Sequence, residues 1–283
     1  MRGKRLVFVL VACWVLTLPC LAAQYTKEDS CKVMTLLGQA RGEGSVREWM
    51  LFFARELRDI SYVGKTLEGN SEEKLIVNLR ELDCTTYVET VLALTLCMKN
   101  DKKNFRDYCD YLRLIRYEQG VVDYPTRLHY FSQWIDDNTS LGFIEERQQP
   151  IPPFIGVQKL DIDFMSTHTY LYPMLTGRQD WIKHIEEGEK KLTGREIRYI
   201  PKGKTGDTKL LREVIRDGDI IAITTSKRGL DVSHIGIAVW HKDGLHLLNA
   251  SQIRKKVIEE PMTLYQYMQK HSTQLGIRVI RVK

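Results

Sequence analysis

The sequence predicts an α+β protein, with helices first and antiparallel strands later, on three observations. Apolar residues in the first half recur close to helical spacing. After Pro150 they fall instead into short β-branched runs separated by Gly and Asp turns. Two of those runs flank "HKDG", which marks an antiparallel hairpin. Helices followed by hairpin strands, without strand–helix alternation, exclude a doubly wound sheet. At 283 residues and 43% hydrophobic content the chain can bury a substantial core.

The first residues, "MRGKRLVFVLVACWVLTLPCLAAQ", have a basic start, an apolar run from Leu6 to Leu18, a break at Pro19 and small residues at Ala22 and Ala23. This is the pattern of a secretory signal peptide over residues 1–23, so the mature protein is expected to be exported and to start near Ala23 or Gln24. A lipoprotein anchor on Cys20 is disfavoured by Pro19 in the preceding position. No later segment is apolar for long enough to span a membrane, so no stable membrane insertion is expected. Next, "VREWMLFFARELRDI" carries Trp49, Leu51, Phe52, Phe53, Leu57 and Ile60 near helical spacing, and "DCTTYVETVLALTLCMK" continues as a second helix. A third is expected over Asn104 to Tyr117, and "RLHYFSQWIDDN" reads as a short helix or turn with an aromatic face. The strand runs are "GDIIAITTS", "HIGIAVW", "LHLLNA" and "GIRVIRVK". Residues 24–283 read as one domain, with no internal repeat or low-complexity linker.

A net charge of +6 and a pI near 8.9 suit an anionic partner. Lys and Arg are nevertheless scattered along the chain with no basic stripe, which argues against nucleic acid. Removal of the leader takes Cys13 and Cys20 with it, leaving Cys31, Cys84, Cys97 and Cys109. Their spacing fits no zinc pattern, and no cofactor is expected. If Cys84 reacts it must stay free, so at most one disulfide joins the other three; Cys97 and Cys109 read equally well as small buried hydrophobes.

Cys84 sits where "ELD" meets the apolar helix, at a helix start whose backbone N–H groups and partial positive charge favour a thiolate. Such a nucleophile needs a histidine brought close by the fold. His234 opens "HIGIAVW", where Ile235, Ile237 and Val239 form one apolar face and Gly236 and Ala238 keep the His234 face small. The return strand brings Asn249 or Ser251 beside it, depending on register, and Asn249 is preferred because its amide oxygen can hold one imidazole tautomer. His241 lies in the hairpin turn and His246 points opposite to Asn249, so neither is expected to serve Cys84. His184 and His271 read as surface residues, and His168 as a loop histidine.

Taken in order, "SYVGKTLEG", "LDCTTYVE", "SHIGIAVW" and "LLNAS" resemble the NlpC-type branch of papain-like cysteine peptidases. The closer resemblance is to its bacterial N-acetylmuramoyl-L-alanine amidase-like members, and it extends to "RLHYFSQWI" and "MSTHTYLYP". It implies a papain-like fold with the nucleophile at a helix N-terminus against an antiparallel sheet or partial barrel, and insertions around residues 120–205. The family's nucleophile falls on Cys84 and its base on His234. The third polar residue, often a histidine, falls on Asn249, and the tyrosine near the active site falls on Tyr62, an oxyanion donor. The implied reaction is metal-free cleavage of the bond between N-acetylmuramic acid and L-alanine in muropeptides, ordinary or anhydro, outside the inner membrane. Alternatives are a γ-D-glutamyl-diamino acid endopeptidase and a non-catalytic wall-binding module. As substrate contacts, Arg127 is expected to pair with a muropeptide carboxylate and His129, Tyr130 and Trp134 to meet the sugar. Against this, Tyr130, Phe131 and Trp134 also read as a core stripe. Asp83 shapes the pocket or caps the helix, and Ser233 is an edge-of-site donor or an ordinary strand start.

Overall fold

The computed structural model describes residues 23–40 and 44–283; the leader, with Cys13 and Cys20, lies outside the described residues. In chain order the elements are α1 (Lys27–Gln39), α2 (Val46–Glu56), β1 (Ser61–Tyr62), β2 (Glu81–Leu82), α3 (Cys84–Lys99), α4 (Phe105–Arg116) and α5 (Phe131–Ser140). There follow β3 (Ile144–Arg147), β4 (Gly156–Lys159), α6 (Phe164–Thr167), α7 (Gln179–Leu192), β5 (Glu196–Pro201) and α8 (Thr208–Val214). The chain closes with β6 (Ile220–Thr225), β7 (Val232–Trp240), β8 (Leu245–Ser251), β9 (Lys256–Glu259), α9 (Leu264–Gln269) and β10 (Gln274–Val282). No described helix is long and apolar enough to cross a membrane.

Local chemistry starts the helices. Thr26 with Asp29, Ser45 with Glu48 and Asp83 with Thr86 form reciprocal capping boxes, each pairing orphan N–H groups at a helix start. Helix α3 is buried on nearly every face from Thr86 to Met98, because it runs between the other N-terminal helices and strands β7 and β8.

The sheet runs β2-β1-β9-β8-β7-β6-β10-β5-β4, with β3 also paired to β10. Among the pairings between the named strands only β1 with β2 is parallel, so the fold is α+β with a largely antiparallel open sheet. One face, with Ile235, Ile237, Val239 and Leu248, packs on helices α1 to α5. The opposite face, with Ala238, Leu245 and Leu247, packs on Leu211, Leu264 and Met268. A third cluster gathers Tyr124, Tyr130, Leu160, Met165 and Ile185, within the stretch where insertions are expected.

Two features depart from the expected order. Strand β3 precedes Pro150 and completes the edge of β10, while α7, α8 and α9 fall among the late strands. The cause is amphipathic dilution: α7 buries only Ile185, Glu189 and Leu192 of its fourteen residues, a stripe too thin to stand out in a polar stretch.

Candidate active site

Cys84 is the first residue of α3, and its neighbours hold that helix start in place. Asp83 Oδ1 accepts from Thr86 N at 2.8 Å, and Thr86 Oγ1 accepts from Asp83 N at 2.9 Å. Asp83 therefore caps the helix and also lines the cleft beside it. The Cys84 sulfur lies against β7, where the Ile235 N–H donates to it.

His234 precedes Ile235, and its Nε2 lies 2.9 Å from Asn249 Oδ1. An amide oxygen only accepts, so Nε2 carries the hydrogen and Nδ1 keeps the lone pair. Residue pairing along the hairpin places His234 and Asn249 on one face, because Ile237 opposes Leu248 and side chains alternate. Ser251, the other orienting residue considered, accepts instead from Arg254 N at 3.2 Å. Gly236 leaves that face bare for packing: a Cβ there would sit 2.8 Å from Leu247 Cγ and 2.7 Å from Leu248 O.

The electrostatics differ from expectation at the sulfur. Burial, then the Asp83 carboxylate, push the Cys84 thiol up to about 12; the Ile235 amide, the Thr85 side chain and its own amide pull the other way. A helix N-terminus contributes about 0.3–1 kcal/mol, less than one pKa unit, so desolvation wins. Burial also lowers His234 below the usual histidine value, opposed by its bond to Asn249 and helped by His271. Both shifts favour the uncharged forms, a thiol at Cys84 and a neutral imidazole at His234. Tyr62, on β1, feels burial and the nearby Cys84 and Asp83, which push its phenol up to about 12 and keep the O–H as a donor.

Cys84, Ser233 and His234 line one cavity of ≈ 200 Å³ together with His129, Met165 and Tyr172. A second cavity of ≈ 200 Å³ shares Thr85, Leu128, His129 and Tyr172 with it and continues past Asp83 to Glu68 and Arg127. The two make one cleft across the N-terminus of α3. His129 is neutral: burial, then Arg127, push it down to about 3, while Nε2 faces Tyr124 O at 2.9 Å, leaving Nδ1 as an acceptor.

Several expected substrate contacts are corrected. Arg127 is 6% exposed, with its guanidinium paired to Glu68 and Glu73, so a substrate carboxylate would have to displace an internal one. Trp134 is 1% exposed and stacks on Phe131 at 4.7 Å, which makes it core. Tyr130 is buried too, and its hydroxyl donates to Glu189 at 2.6 Å. The core-stripe reading therefore describes Trp134, whereas Tyr130 and Phe131 are buried and also line the Cys84 cavity. Ser233 is exposed and donates to Ile223 O at 3.3 Å. His168 stacks on Phe164 at 4.3 Å and borders neither cavity. Cys31, Cys84 and Cys97 are free thiols, Cys97 being buried in the core.

Two residues near the site escaped the sequence reading. Tyr267, on α9, has its ring 6.4 Å from that of His234 and 4.8 Å from His271, so His271 is half-buried there. Its α9 carries too few residues to show periodicity. Asp231 accepts from Ser132 N at 2.6 Å and Val232 N at 2.8 Å, tying the start of β7 to the start of α5. An Asp just before a strand run was the available signal.

One family model and several solved structures match the chain. Residues 52–277 match the family model described as AmiA-like, N-acetylmuramoyl-L-alanine amidase-like. A solved N-acetylmuramoyl-L-alanine amidase from Bacteroides uniformis is 38% identical with a TM-score of 0.79, over 85% of this chain and 100% of that one. A Bacteroides fragilis protein named provisionally as a xylanase is 40% identical with a TM-score of 0.76, over 81% and 99%. A Legionella pneumophila protein shares the fold at 20% identity and a TM-score of 0.69, over 90% and 94%. No curated protein matches the chain. From the match over residues 52–277 and the Bacteroides structures, the chain belongs to the AmiA-like family of N-acetylmuramoyl-L-alanine amidase-like proteins.

Proposed function

We propose that this protein is an exported, cysteine-dependent amidase of papain-like, NlpC-type architecture. Its substrates are soluble peptidoglycan fragments, in which it hydrolyses the N-acetylmuramoyl-L-alanine bond. The observation that carries this is the His234–Asn249 hydrogen bond of 2.9 Å, which leaves Nδ1 as a base on a residue that shares a cavity with Cys84.

In the proposed reaction Cys84 Sγ attacks the carbonyl of the muramyl lactyl group while His234 Nδ1 takes the thiol proton. Removing the proton during attack suits a thiol held near 12 better than a stored thiolate does. The oxyanion meets the Cys84 N–H and the Tyr62 hydroxyl. His234 returns its proton to the alanine nitrogen, the C–N bond breaks, and the peptide leaves with a free amine. Water, deprotonated by His234, then hydrolyses the thioester and restores the thiol. His129 Nδ1 offers an acceptor on the cavity wall for a substrate hydroxyl or amide.

A xylan-cleaving reading is weaker, because glycoside hydrolysis uses two carboxylates about the scissile bond. The carboxylates along the cleft are engaged internally: Asp231 accepts from two backbone amides, Asp83 caps α3, Glu68 pairs with Arg127, and Glu89 pairs with Arg116.

Digestion of defined muropeptides by the parent and by Cys84→Ser, with products weighed by mass spectrometry, tests the proposal. Free muramyl sugar from the parent alone supports it. A dipeptide left on the sugar indicates the endopeptidase, and binding without cleavage indicates a wall-binding module. Export is tested by the N-terminal mass of protein recovered from the expressing cell, expected to begin near Ala23 or Gln24.

A further inference from the structure

We propose that His241, Asp243 and His246, at the β7–β8 turn, bind one divalent metal ion of the zinc class, independently of the Cys84 site. Each residue supplies one ligand atom, and these atoms lie within 4.8 Å of one another. A zinc ion with bonds of about 2.0–2.2 Å needs ligand atoms roughly 3.3 Å apart, so small side-chain adjustments complete the set.

The surrounding contacts select the ligand nitrogens. His246 Nδ1 lies 2.8 Å from the Glu260 carbonyl oxygen, which can only accept, so Nδ1 carries the hydrogen and Nε2 offers its lone pair. That lone pair faces Asp243 Oδ1 at 3.0 Å. The position between Nε2 and Oδ1 takes either a proton, giving an imidazolium–carboxylate pair, or a metal ion. His241 Nε2 lies 2.5 Å from Glu259 Oε1, while the other oxygen of Glu259 is held by Arg55 at 3.2 Å. Each imidazole therefore has one nitrogen engaged by an outer oxygen and the other left as a donor. Such outer partners orient metal-binding histidines and raise their basicity. The rings are tilted at 42° with centroids 4.3 Å apart, so the two imidazoles lie close enough for a single ion to serve both.

The donor set also sets the class. Two imidazoles and one carboxylate suit zinc or a similar transition ion, whereas calcium and magnesium take oxygen ligands. His246 is buried and anchors the site to β8, while His241 and Asp243 are exposed and leave an open coordination position to water. From His234 to His241 the strand advances about 23 Å at 3.3 Å per residue, so the ion would not reach the sulfur. It would instead clamp the turn of the hairpin that carries His234 and Asn249.

The test uses tag-free protein with Cys31→Ser and Cys84→Ala, which removes the exposed thiol and the cleft thiol. Zinc uptake is measured by equilibrium dialysis, and cobalt coordination by visible absorption. One equivalent of zinc, a tetrahedral cobalt spectrum and a rise in unfolding temperature with zinc are expected. His241→Ala and Asp243→Asn, both at exposed positions, should each weaken binding by roughly tenfold or more and abolish the thermal shift. Absence of saturable uptake, or equal uptake by the variants and the parent, overturns the proposal.

Discussion

Replacing Asn249 with alanine removes the acceptor that holds the His234 ring. Asn249 is fully buried, and its Oδ1 lies 2.9 Å from His234 Nε2. When His234 takes the thiol proton it becomes an imidazolium, and that hydrogen bond becomes charge-assisted. Bonds to charged groups contribute about 1.5–3 kcal/mol, so kcat should fall by about 10- to 150-fold at 1.36 kcal/mol per decade. KM should change little, since Asn249 does not line the Cys84 cavity. The assay is steady-state turnover of a defined muropeptide, with circular dichroism and thermal unfolding as controls on the fold. Asn249→Asp supplies a second readout: its carboxylate would stabilise the imidazolium and raise the His234 pKa. The base would then be unprotonated only at higher pH, and the acid limb of the rate profile should move upward. A correctly folded Asn249→Ala with undiminished kcat, or an Asn249→Asp with an unshifted acid limb, would refute the orienting role.

Tyr62→Phe should lower kcat by roughly 100- to 1000-fold if the hydroxyl meets the oxyanion, with unfolding temperature unchanged; steady-state kinetics decide. Because the Cys84 thiol is held up near 12, its alkylation by iodoacetamide should rise tenfold per pH unit through neutrality. A rate flat across neutral pH would mean a stored thiolate. Arg116→Met should destabilise by about 3–5 kcal/mol in urea unfolding, because Glu89, 2.7 Å from Arg116, would be left buried and unpaired. Burial raises Asp29, but hydrogen bonds from Thr26, Leu79 and Arg80 outweigh it and hold the carboxyl below its ordinary 3.8. Its stabilisation is present above the unfolded value and lost as pH falls through the lower folded value. Asp29→Asn should therefore flatten the acid limb of stability, measured by thermal unfolding against pH.

The helix start at Cys84 was legible because its signals are local. Asp83 and Thr86 are three residues apart and cap each other, and the apolar run that follows has nowhere to go but inside. The hairpin was equally legible from "HKDG" between alternating strands, and with it the shared face of His234 and Asn249. The substrate contacts were less so. Arg127 and Tyr130 carry chemistry suited to a sugar-peptide ligand, but their partners Glu68, Glu73 and Glu189 lie 54 to 59 residues away in sequence. No periodicity reports such pairings, and they turn apparent ligands into internal structure.

What the amino-acid order determined was therefore the set of elements with strong local signals and the identity of the groups at their ends: a thiol at a capped helix start, a histidine opening a strand, an asparagine on the returning one. The tertiary structure decided which of these meet and in what state. It set Asn249 rather than Ser251 against His234, turned Ile235 N–H toward the sulfur, and brought Tyr267 beside the imidazole. It also reversed the expected ionisation of Cys84. The favourable field of a helix N-terminus is local, whereas the larger desolvation arises from packing among residues far apart along the chain.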